Sequence, residues 1–389
     1  MKLPHLFSLN SDEKFITEEL NKKIISAIND NNGFIPFSKY MKMALYDPEY
    51  GYYNNLSHKF GAKGDFITAP NISKLFAVAI TNQIKELCNN FITANILEIG
   101  GGNGQLLLDI LSIIGHSINK YYILELSGNL AQLQQQRLQE QLPQYLDKVI
   151  WLNSLPNLFN GIILANEVLD AQPFERVMWE NGDILQIGVG VDKKNDLLYK
   201  SKIADIELKD LAKNLQQNNN ILESYISEIN LNNRGFIKSL SQSLNKGAII
   251  LIDYGYSQRE YYSLERKNGT LRGFFRHHQL ENILVYTGLI DVTASVDFTA
   301  IAEVAIENNL DFIGYTTQAN FLINCDILEF MEIARTEKSD LEYLQLSNQL
   351  MKLTSPNEMG DIFKVIAFSK NFEFYDWCGF IRGNQSHLL

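Results

Sequence analysis

The residues best suited to chemistry begin with a glycine-rich stretch that directly follows a short apolar segment. Gly100, Gly102 and Gly104 stand two residues apart, and the acidic Glu98 precedes them. Glycine is needed where a ligand presses against the backbone, because a side chain would collide with it. A dinucleotide fingerprint that starts at Gly100 requires glycine or alanine at position 105, which holds Gln105. The pattern therefore favours an adenosyl ligand without phosphate, and Glu98 can hold an ammonium such as that of S-adenosylmethionine.

Two further segments end in polar residues that suit the rest of such a ligand. Glu125 ends the next apolar segment, at the distance from the glycines where nucleotide-binding folds place an acidic residue. That residue accepts hydrogen bonds from the ribose hydroxyls, and we expect this role for Glu125 rather than that of a surface glutamate. Asn153 and Ser154 follow the third apolar segment. They can bind adenine, and the same residues also suit an ordinary turn.

Three polar side chains follow the fourth apolar segment: Asn166, Glu167 and Asp170. Carboxylates at this place can hold a guanidinium through charge-assisted, bidentate hydrogen bonds and orient a nitrogen toward a sulfonium methyl group. The same residues also suit a helix start, with Asn166 as N-cap and Glu167 beside the positive end of the helix dipole. Both interpretations can hold together, and we expect the three residues to be catalytic.

Short apolar strands alternate with helices from residue 94 onward. The predicted strands are 95–99, 121–125, 149–152, 161–165 and 248–253. Such alternation is typical of a parallel sheet covered on both faces. The carboxyl ends of the strands meet at the edge where open α/β folds bind ligands. The predicted fold class is therefore α/β, with a doubly wound, Rossmann-like sheet.

The segments outside this alternation predict a cap and an insertion. Residues 12–30 predict an amphipathic helix with Thr17 as N-cap and with Leu20, Ile24 and Ile28 on one face. After it, the aromatic stretch 40–53 predicts an irregular lid.

A long insertion, 174–245, separates the fourth predicted strand from the fifth. Its first part predicts a hairpin around Asn181-Gly182-Asp183, and its second part, 221–244, predicts a helix. The later strand 363–368 completes the sheet. We therefore divide the chain into a cap or lid region, 1–90, and a catalytic core, 91–389, which contains the insertion.

The composition restricts the partners and the compartment. The net charge is −11 and the sequence pI is about 5.1. An acidic surface repels phosphate backbones, so nucleic acid is a poor partner. Such a surface can attract cationic proteins, but we expect the charge mainly to keep the protein in solution. The three widely spaced cysteines form no disulfide or zinc pattern. Because we find no signal peptide and no apolar stretch long enough for a membrane span, we predict a cytoplasmic protein without membrane insertion.

Several motifs in order resemble those of the MidA-like methyltransferases, the family of the mitochondrial complex I assembly factor that dimethylates an arginine. The matching segments span residues 35 to 370: Leu45-Tyr46-Asp47-Pro48, Gly64-Asp65-Phe66-Ile67-Thr68-Ala69-Pro70, the glycine stretch, Glu125-Leu126-Ser127, Asn166-Glu167 with Asp170 and Pro173, Leu251-Ile252-Asp253-Tyr254-Gly255, Gly269-Thr270-Leu271-Arg272, and Met359-Gly360-Asp361-Ile362-Phe363. The resemblance implies a seven-stranded class I methyltransferase fold, S-adenosylmethionine as cofactor and a protein arginine as substrate. It also implies that Asp65 and Thr68 line the cofactor site, whereas residue types alone indicate only a turn there.

The sequence departs from the family pattern at two positions in these motifs. Gly101 stands where the family usually has proline, and Asn71 where it usually has glutamate. Three alternatives to an arginine methyltransferase stay open: a methyltransferase for a small molecule or another protein residue, an assembly chaperone on the same fold, and a nicotinamide oxidoreductase, which Gln105 disfavours. No metal is expected, because His277 and His278 have no third ligand at suitable spacing.

Overall fold

The short apolar segments from residue 95 onward form strands because each is bounded by turn residues. A computed structural model describes residues 7–55, 68–89 and 94–389. Within these ranges the strands are, in chain order, β1 (Ile35–Pro36), β2 (Asn95–Ile99), β3 (Lys120–Leu124), β4 (Val149–Leu152), β5 (Phe159–Asn166), β6 (Glu175–Glu180), β7 (Asp183–Val191), β8 (Leu197–Ile203), β9 (Tyr225–Ile229), β10 (Leu244–Tyr256), β11 (Arg272–Phe275), β12 (His278–Gln279), β13 (Asp291–Thr293), β14 (Val296–Asp297), β15 (Asp311–Thr317) and β16 (Phe363–Lys370).

The helices alternate with these strands through most of the chain. In the same described ranges they are α1 (Ser11–Asn29), α2 (Phe37–Tyr46), α3 (Ala69–Ile72), α4 (Lys74–Cys88), α5 (Gln105–Ile114), α6 (Gly128–Gln141), α7 (Ile206–Asn219), α8 (Leu231–Ser243), α9 (Gln258–Tyr261), α10 (Phe298–Glu307), α11 (Gln318–Asn324), α12 (Ile327–Glu337) and α13 (Asp340–Thr354).

The chain divides into two compact units, each assembled from three stretches. Unit 1 comprises the described residues of 1–66, 171–232 and 262–294, and unit 2 comprises those of 67–170, 233–261 and 295–389. The sequence prediction instead divided the chain once, between residues 90 and 91. The division of function between a cap and a catalytic core stays a prediction.

Unit 2 contains the doubly wound sheet. Its strand order is β15-β16-β10-β5-β2-β3-β4, and β14 pairs in addition with β10. The strands β10, β5, β2, β3 and β4 run parallel, whereas β16 is antiparallel to both of its neighbours. From β2 the chain continues outward first through β3 and β4 and later, on the other side, through β5 and β10. Right-handed crossovers in both directions cover both faces of such a sheet with helices. The predicted fold class is confirmed.

The core of unit 2 lies between the sheet and its helices. The central strands contribute Leu97, Ile163 and Leu251, which are 0% exposed, and α8 contributes Leu240 to the same cluster. Because β5 and β10 are buried on both faces, their sequences are nearly continuous apolar runs.

Unit 1 contains an antiparallel sheet in the order β1-β7-β6-β9, with β8 paired to β7, and a second sheet in the order β12-β11-β13. The predicted hairpin is formed by β6 and β7, whose turn places Asn181 and Gly182 at positive φ, as a tight hairpin turn requires. Helix α1 packs Leu20, Ile24 and Ile28 into the core of this unit.

Several local predictions are wrong where tertiary contacts or caps decide the structure. Helix α1 is capped by Asn10, in a capping box with Glu13, and not by Thr17. The predicted lid contains the regular helix α2, whose buried aromatic side chains give it a core face. The predicted helix 221–244 is divided into β9 and α8, because β9 pairs with β6 in the sheet of unit 1.

In the described part of the chain, no helix has both the length and the apolar character that a membrane crossing requires.

Gly247→Ala should destabilise the protein, because a Cβ at Gly247 would lie 1.9 Å from the carbonyl oxygen of Gly161 on the neighbouring strand. The φ of Gly247, 141°, adds strain for any residue with a side chain. Overpacking of this kind costs about 1–3 kcal/mol, which urea unfolding measures. Gly235→Ala in α8 is the matched control, because a Cβ there meets nothing within 4 Å and alanine favours a helix. Equal stability of the two variants would contradict the close approach of β5 and β10.

Candidate active site

The glycine stretch connects the end of β2 to the start of α5. Gly100, Gly102 and Gly104 have φ values of 67°, 54° and 79°, in the left-handed region that favours glycine. A Cβ added at Gly100 would lie 2.8 Å from Cγ2 of Val168, in the turn that follows β5. The three predicted glycines are therefore required by the backbone itself, and their loop lies against the turn after β5.

Two acidic side chains lie beside this loop, one within β2 and one directly after β3. Glu98 is buried in β2, and its Oε2 accepts a hydrogen bond of 2.7 Å from the Tyr121 hydroxyl. Burial raises the pKa of Glu98 to about 7, although the Tyr121 hydrogen bond lowers it. Glu125 follows β3, and its Oε1 accepts a hydrogen bond of 3.0 Å from the amide of Ser127. Burial also raises the pKa of Glu125.

Gln134 connects the glycine loop to Glu125, and sequence reasoning missed it. Its amide Nε2 donates to the carbonyl of Gly102 at 2.8 Å and to Glu125 Oε2 at 3.4 Å, while its Oε1 accepts from Trp151 Nε1 at 2.9 Å. The side chain is 0% exposed. It lies in helix α6, which contains several other glutamines, so the residue type alone does not single out Gln134 as a site residue.

Thr68 reaches the glycine loop through a chain of side-chain hydrogen bonds. Asn71 Nδ2 donates to Thr68 Oγ1 at 2.8 Å, and Asn103 Nδ2 donates to Asn71 Oδ1 at 2.7 Å. Asn103 is part of the glycine loop. Asp65, which the resemblance assigned to the same site, lies outside the described residues.

Asn153 and Ser154 lie at the edge of the sheet beside Glu125. They form an exposed bend directly after β4. Because Leu152 pairs with Leu124 across β4 and β3, these two residues and Glu125 follow adjacent strand ends.

Asn166, Glu167 and Asp170 lie at and after the end of β5. Asn166 is the last residue of the strand, and its Nδ2 donates to Glu167 Oε1 at 3.0 Å. Glu167 has a φ of 54°, which reverses the chain sharply. Residues 167–170 form a turn in which no helix begins. The alternative of a capped helix start is therefore wrong, because the backbone N–H groups of this turn donate to a side chain of a neighbouring strand.

Asp253 of β10 accepts the hydrogen bonds of this turn, and sequence reasoning did not recognise its role. Its Oδ2 accepts from the amides of Val168, Leu169 and Asp170 at 3.2, 2.9 and 3.2 Å. The Asp253 side chain is fully buried, and burial together with the nearby charge of Glu167 raises its pKa to about 8. The only sequence signal was its place in the motif Leu251-Ile252-Asp253-Tyr254-Gly255.

Comparison with known proteins agrees with this geometry. Residues 75–316 match the model of the family described as "Putative S-adenosyl-L-methionine-dependent methyltransferase". The chain belongs to this family of methyltransferases. The fold that the resemblance implied, the enzyme class and the cofactor S-adenosylmethionine are confirmed.

Known relatives of this methyltransferase align over most of its length. A crystal structure of a protein from Burkholderia thailandensis, bound to S-adenosyl-homocysteine, is 33% identical with a TM-score of 0.92, and covers 99% of this chain and 100% of its own. The curated "Protein arginine methyltransferase NDUFAF7, mitochondrial" of Danio rerio is 27% identical, over 92% of this chain and 88% of its own. The homologue of Drosophila melanogaster is 25% identical, over 90% and 84%.

The predicted cytoplasmic location is wrong. The curated relatives from Danio rerio, Caenorhabditis elegans and Drosophila melanogaster are all named as mitochondrial. Ordinary composition and unpaired cysteines do not distinguish one reducing compartment from another.

Glu98→Gln should change how the stability of the methyltransferase depends on pH. Burial raises the pKa of Glu98 to about 7, above its ordinary value of 4.5, so the folded state holds this proton more tightly than the unfolded chain. The stability that comes from the protonated group is complete below the unfolded pKa and is lost as the pH rises through the folded pKa. Glutamine keeps the shape and does not titrate.

The expected result is that Glu98→Gln gains unfolding free energy relative to the parent when the pH rises from about 5 to about 8. Urea unfolding at both pH values, without cofactor, measures this difference. Glu140→Gln on the exposed face of α6 is the control. Its unfolding free energy should change with pH as that of the parent does. If the unfolding free energy of Glu98→Gln changed with pH as that of the parent does, the raised pKa of Glu98 would be contradicted.

Proposed function

We propose that this methyltransferase transfers the methyl group of S-adenosylmethionine to an arginine nitrogen of a partner protein. The observation that carries the proposal is the turn 167–170, which contains Glu167 and Asp170 and whose Val168 adjoins the glycine loop. Two carboxylates on one rigid turn suit a planar cation that donates several parallel hydrogen bonds. The names of the curated relatives, which are protein arginine methyltransferases, support the same substrate class.

The residues around the glycine loop fit the cofactor. The loop offers a backbone without side chains at Gly100, Gly102 and Gly104, and a Cβ would narrow the space at Gly100. We assign the ribose hydroxyls to Glu125, the ammonium to Glu98, and the adenine to Asn153 or Ser154. Thr68 would border the same loop through Asn71 and Asn103. When bound, S-adenosylmethionine supplies a methyl group on a positively charged sulfur, which a nucleophilic nitrogen attacks.

The residues after β5 would hold and orient the acceptor. Glu167 and Asp170 would pair with the guanidinium and stabilise the positive charge of the methylated nitrogen before its proton leaves. Asn166 donates its amide N–H to Glu167, so its Oδ1 points elsewhere as an acceptor. Among the described residues, no hydrogen bond reaches that buried oxygen, and an N–H of the acceptor can supply one.

The direct test of the proposal uses S-adenosylmethionine labelled in its methyl group. The pure protein is incubated with the label and a protein extract, and mass spectrometry identifies the labelled residue. Methyl groups on arginine support the proposal. Label on another residue or on a small molecule would show a different substrate class, and cofactor binding without any transfer would favour a chaperone.

Glu125→Ala should weaken cofactor binding by about 1–3 kcal/mol, the scale of lost hydrogen bonds to a charged group. Calorimetry with S-adenosyl-homocysteine measures this loss. Glu140→Ala is the matched control, because it removes an exposed glutamate from the same unit. Unchanged affinity in a folded Glu125→Ala protein would remove Glu125 from the ribose site.

Glu167→Gln and Asp170→Asn should keep cofactor affinity and lose methyl transfer by roughly a hundredfold or more, as the loss of a positioned charged group does. The amides keep the shape of the side chains and remove their charge. Cofactor affinity and transfer rate are measured on the same preparations, with Glu140→Gln as control. Transfer at the parental rate in both variants would show that these carboxylates do not hold the acceptor.

A further inference from the structure

We propose that Asp253 is the positioning residue of the methyl-transfer site, and that its carboxylate holds the turn 167–170 in the shape that acceptor binding requires. The inference rests on the proposed function, in which Glu167 and Asp170 serve the acceptor. It assigns to Asp253 a role that neither the glycine loop nor the acceptor carboxylates can perform.

The first support is the number of amides that one side chain satisfies. The turn has three successive N–H groups that are directed at a single oxygen, Asp253 Oδ2, at 3.2, 2.9 and 3.2 Å. A turn has no ladder or helix to satisfy these donors, and a buried N–H without an acceptor costs free energy. The other oxygen, Oδ1, accepts from the amide of Tyr254 at 2.9 Å.

The second support is the strain at the start of the turn. Glu167 has a φ of 54°, and a residue with a side chain keeps such a conformation only where its surroundings hold it. Its amide donates to the carbonyl of Ile252 at 2.9 Å, one residue before Asp253. Two successive residues of β10 therefore hold the turn: the Ile252 carbonyl binds the amide of Glu167, and the Asp253 carboxylate binds the amides of residues 168–170.

The third support is that Asp253 is fully engaged in this role. Both of its oxygens accept backbone N–H groups, and the side chain is 0% exposed. Its oxygens are therefore not free to contact an acceptor, whereas Glu167 and Asp170 are on the turn itself. This distinguishes a positioning residue from a catalytic one.

An asparagine cannot replace this carboxylate. An amide has one accepting oxygen and one donating NH2 group, whereas both ends of the Asp253 side chain face N–H donors. In either orientation of the substituted amide, one set of backbone donors would meet the NH2 group. Asp253→Asn is thus a change of nearly equal volume that removes acceptors from the turn.

The test compares Asp253→Asn with Asp297→Asn. Asp297 is a matched control, because it is also an aspartate in a strand of unit 2 and accepts a backbone N–H, that of Ala300 at 3.2 Å. It caps α10 rather than the turn. Three measurements are made on each variant. They are amide hydrogen exchange at residues 168–170, affinity for S-adenosyl-homocysteine, and the kinetics of the transfer assay, which give kcat and KM for S-adenosylmethionine.

For Asp253→Asn we expect hydrogen exchange at the three turn amides to become about tenfold faster or more, because local opening becomes easier. We also expect kcat to fall by about a hundredfold, the scale of a misplaced acceptor, with cofactor affinity and KM nearly unchanged. Asp297→Asn should leave both the exchange at 168–170 and kcat at parental values, whatever stability it loses.

Two results would overturn the inference: parental exchange at the turn amides in folded Asp253→Asn, or faster exchange with an unchanged kcat. A methyl acceptor other than arginine would refute the proposed substrate but leave these measurements valid on that acceptor. If Asp253→Asn does not fold, hydrogen exchange at the amides of residues 168–170 in the parent protein tests the inference instead. Protection of the three amides supports the inference, and exchange at the rate of an unstructured peptide overturns it.

Discussion

β2 lies between β3 and β5, and because all three strands are parallel, the loops that follow them emerge at the same edge of the sheet. The chain leaves β2 toward β3 and later returns to the other side of β2 through β5, and open α/β sheets bind ligands where the strand order reverses in this way. Most candidate site residues lie at or directly after these strand ends or that of β4. The glycine loop comes so close to the turn after β5 that a single methyl group at Gly100 would collide with Val168. The geometry of one loop therefore restricts that of the other.

The same edge collects buried carboxyl groups, which has consequences for its ligands. Burial raises the pKa of Glu98 to about 7 and that of Asp253 to about 8, and it also raises the pKa of Glu125. Each of these carboxylates is compensated by neutral donors: a tyrosine hydroxyl, an amide side chain or backbone N–H groups. Because burial opposes the ionisation of these groups, a cation bound beside them would stabilise their charged forms, and the edge therefore favours cationic ligands. The sulfonium cofactor has such a charge, and under the proposed function so has the guanidinium of the acceptor.

The parts of the fold that depend on local pattern could be predicted from the sequence. β2 and β4 begin and end as predicted, because apolar runs bounded by turn residues specify them. The glycines at positive φ were also predictable, since only glycine adopts that backbone without strain. Gln134 and Asp253 were not, because their importance comes from partners 32 and 83 to 85 residues away in the chain. The turn after β5 was mistaken for a possible helix start for the same reason, since its hydrogen-bond acceptor lies on another strand.

The departure at Asn71 shows how one residue type is tied to the charge of the site. Asn71 donates to Thr68 Oγ1 and accepts from Asn103, so it uses both ends of its amide. The glutamate that the family usually has at this position can accept but cannot donate when ionised, so it could bond both partners only if the Thr68 hydroxyl donated instead of accepting. It would also add a negative charge beside a loop that already adjoins Glu98 and Glu125. An amide at position 71 connects Thr68 to the glycine loop without adding that charge.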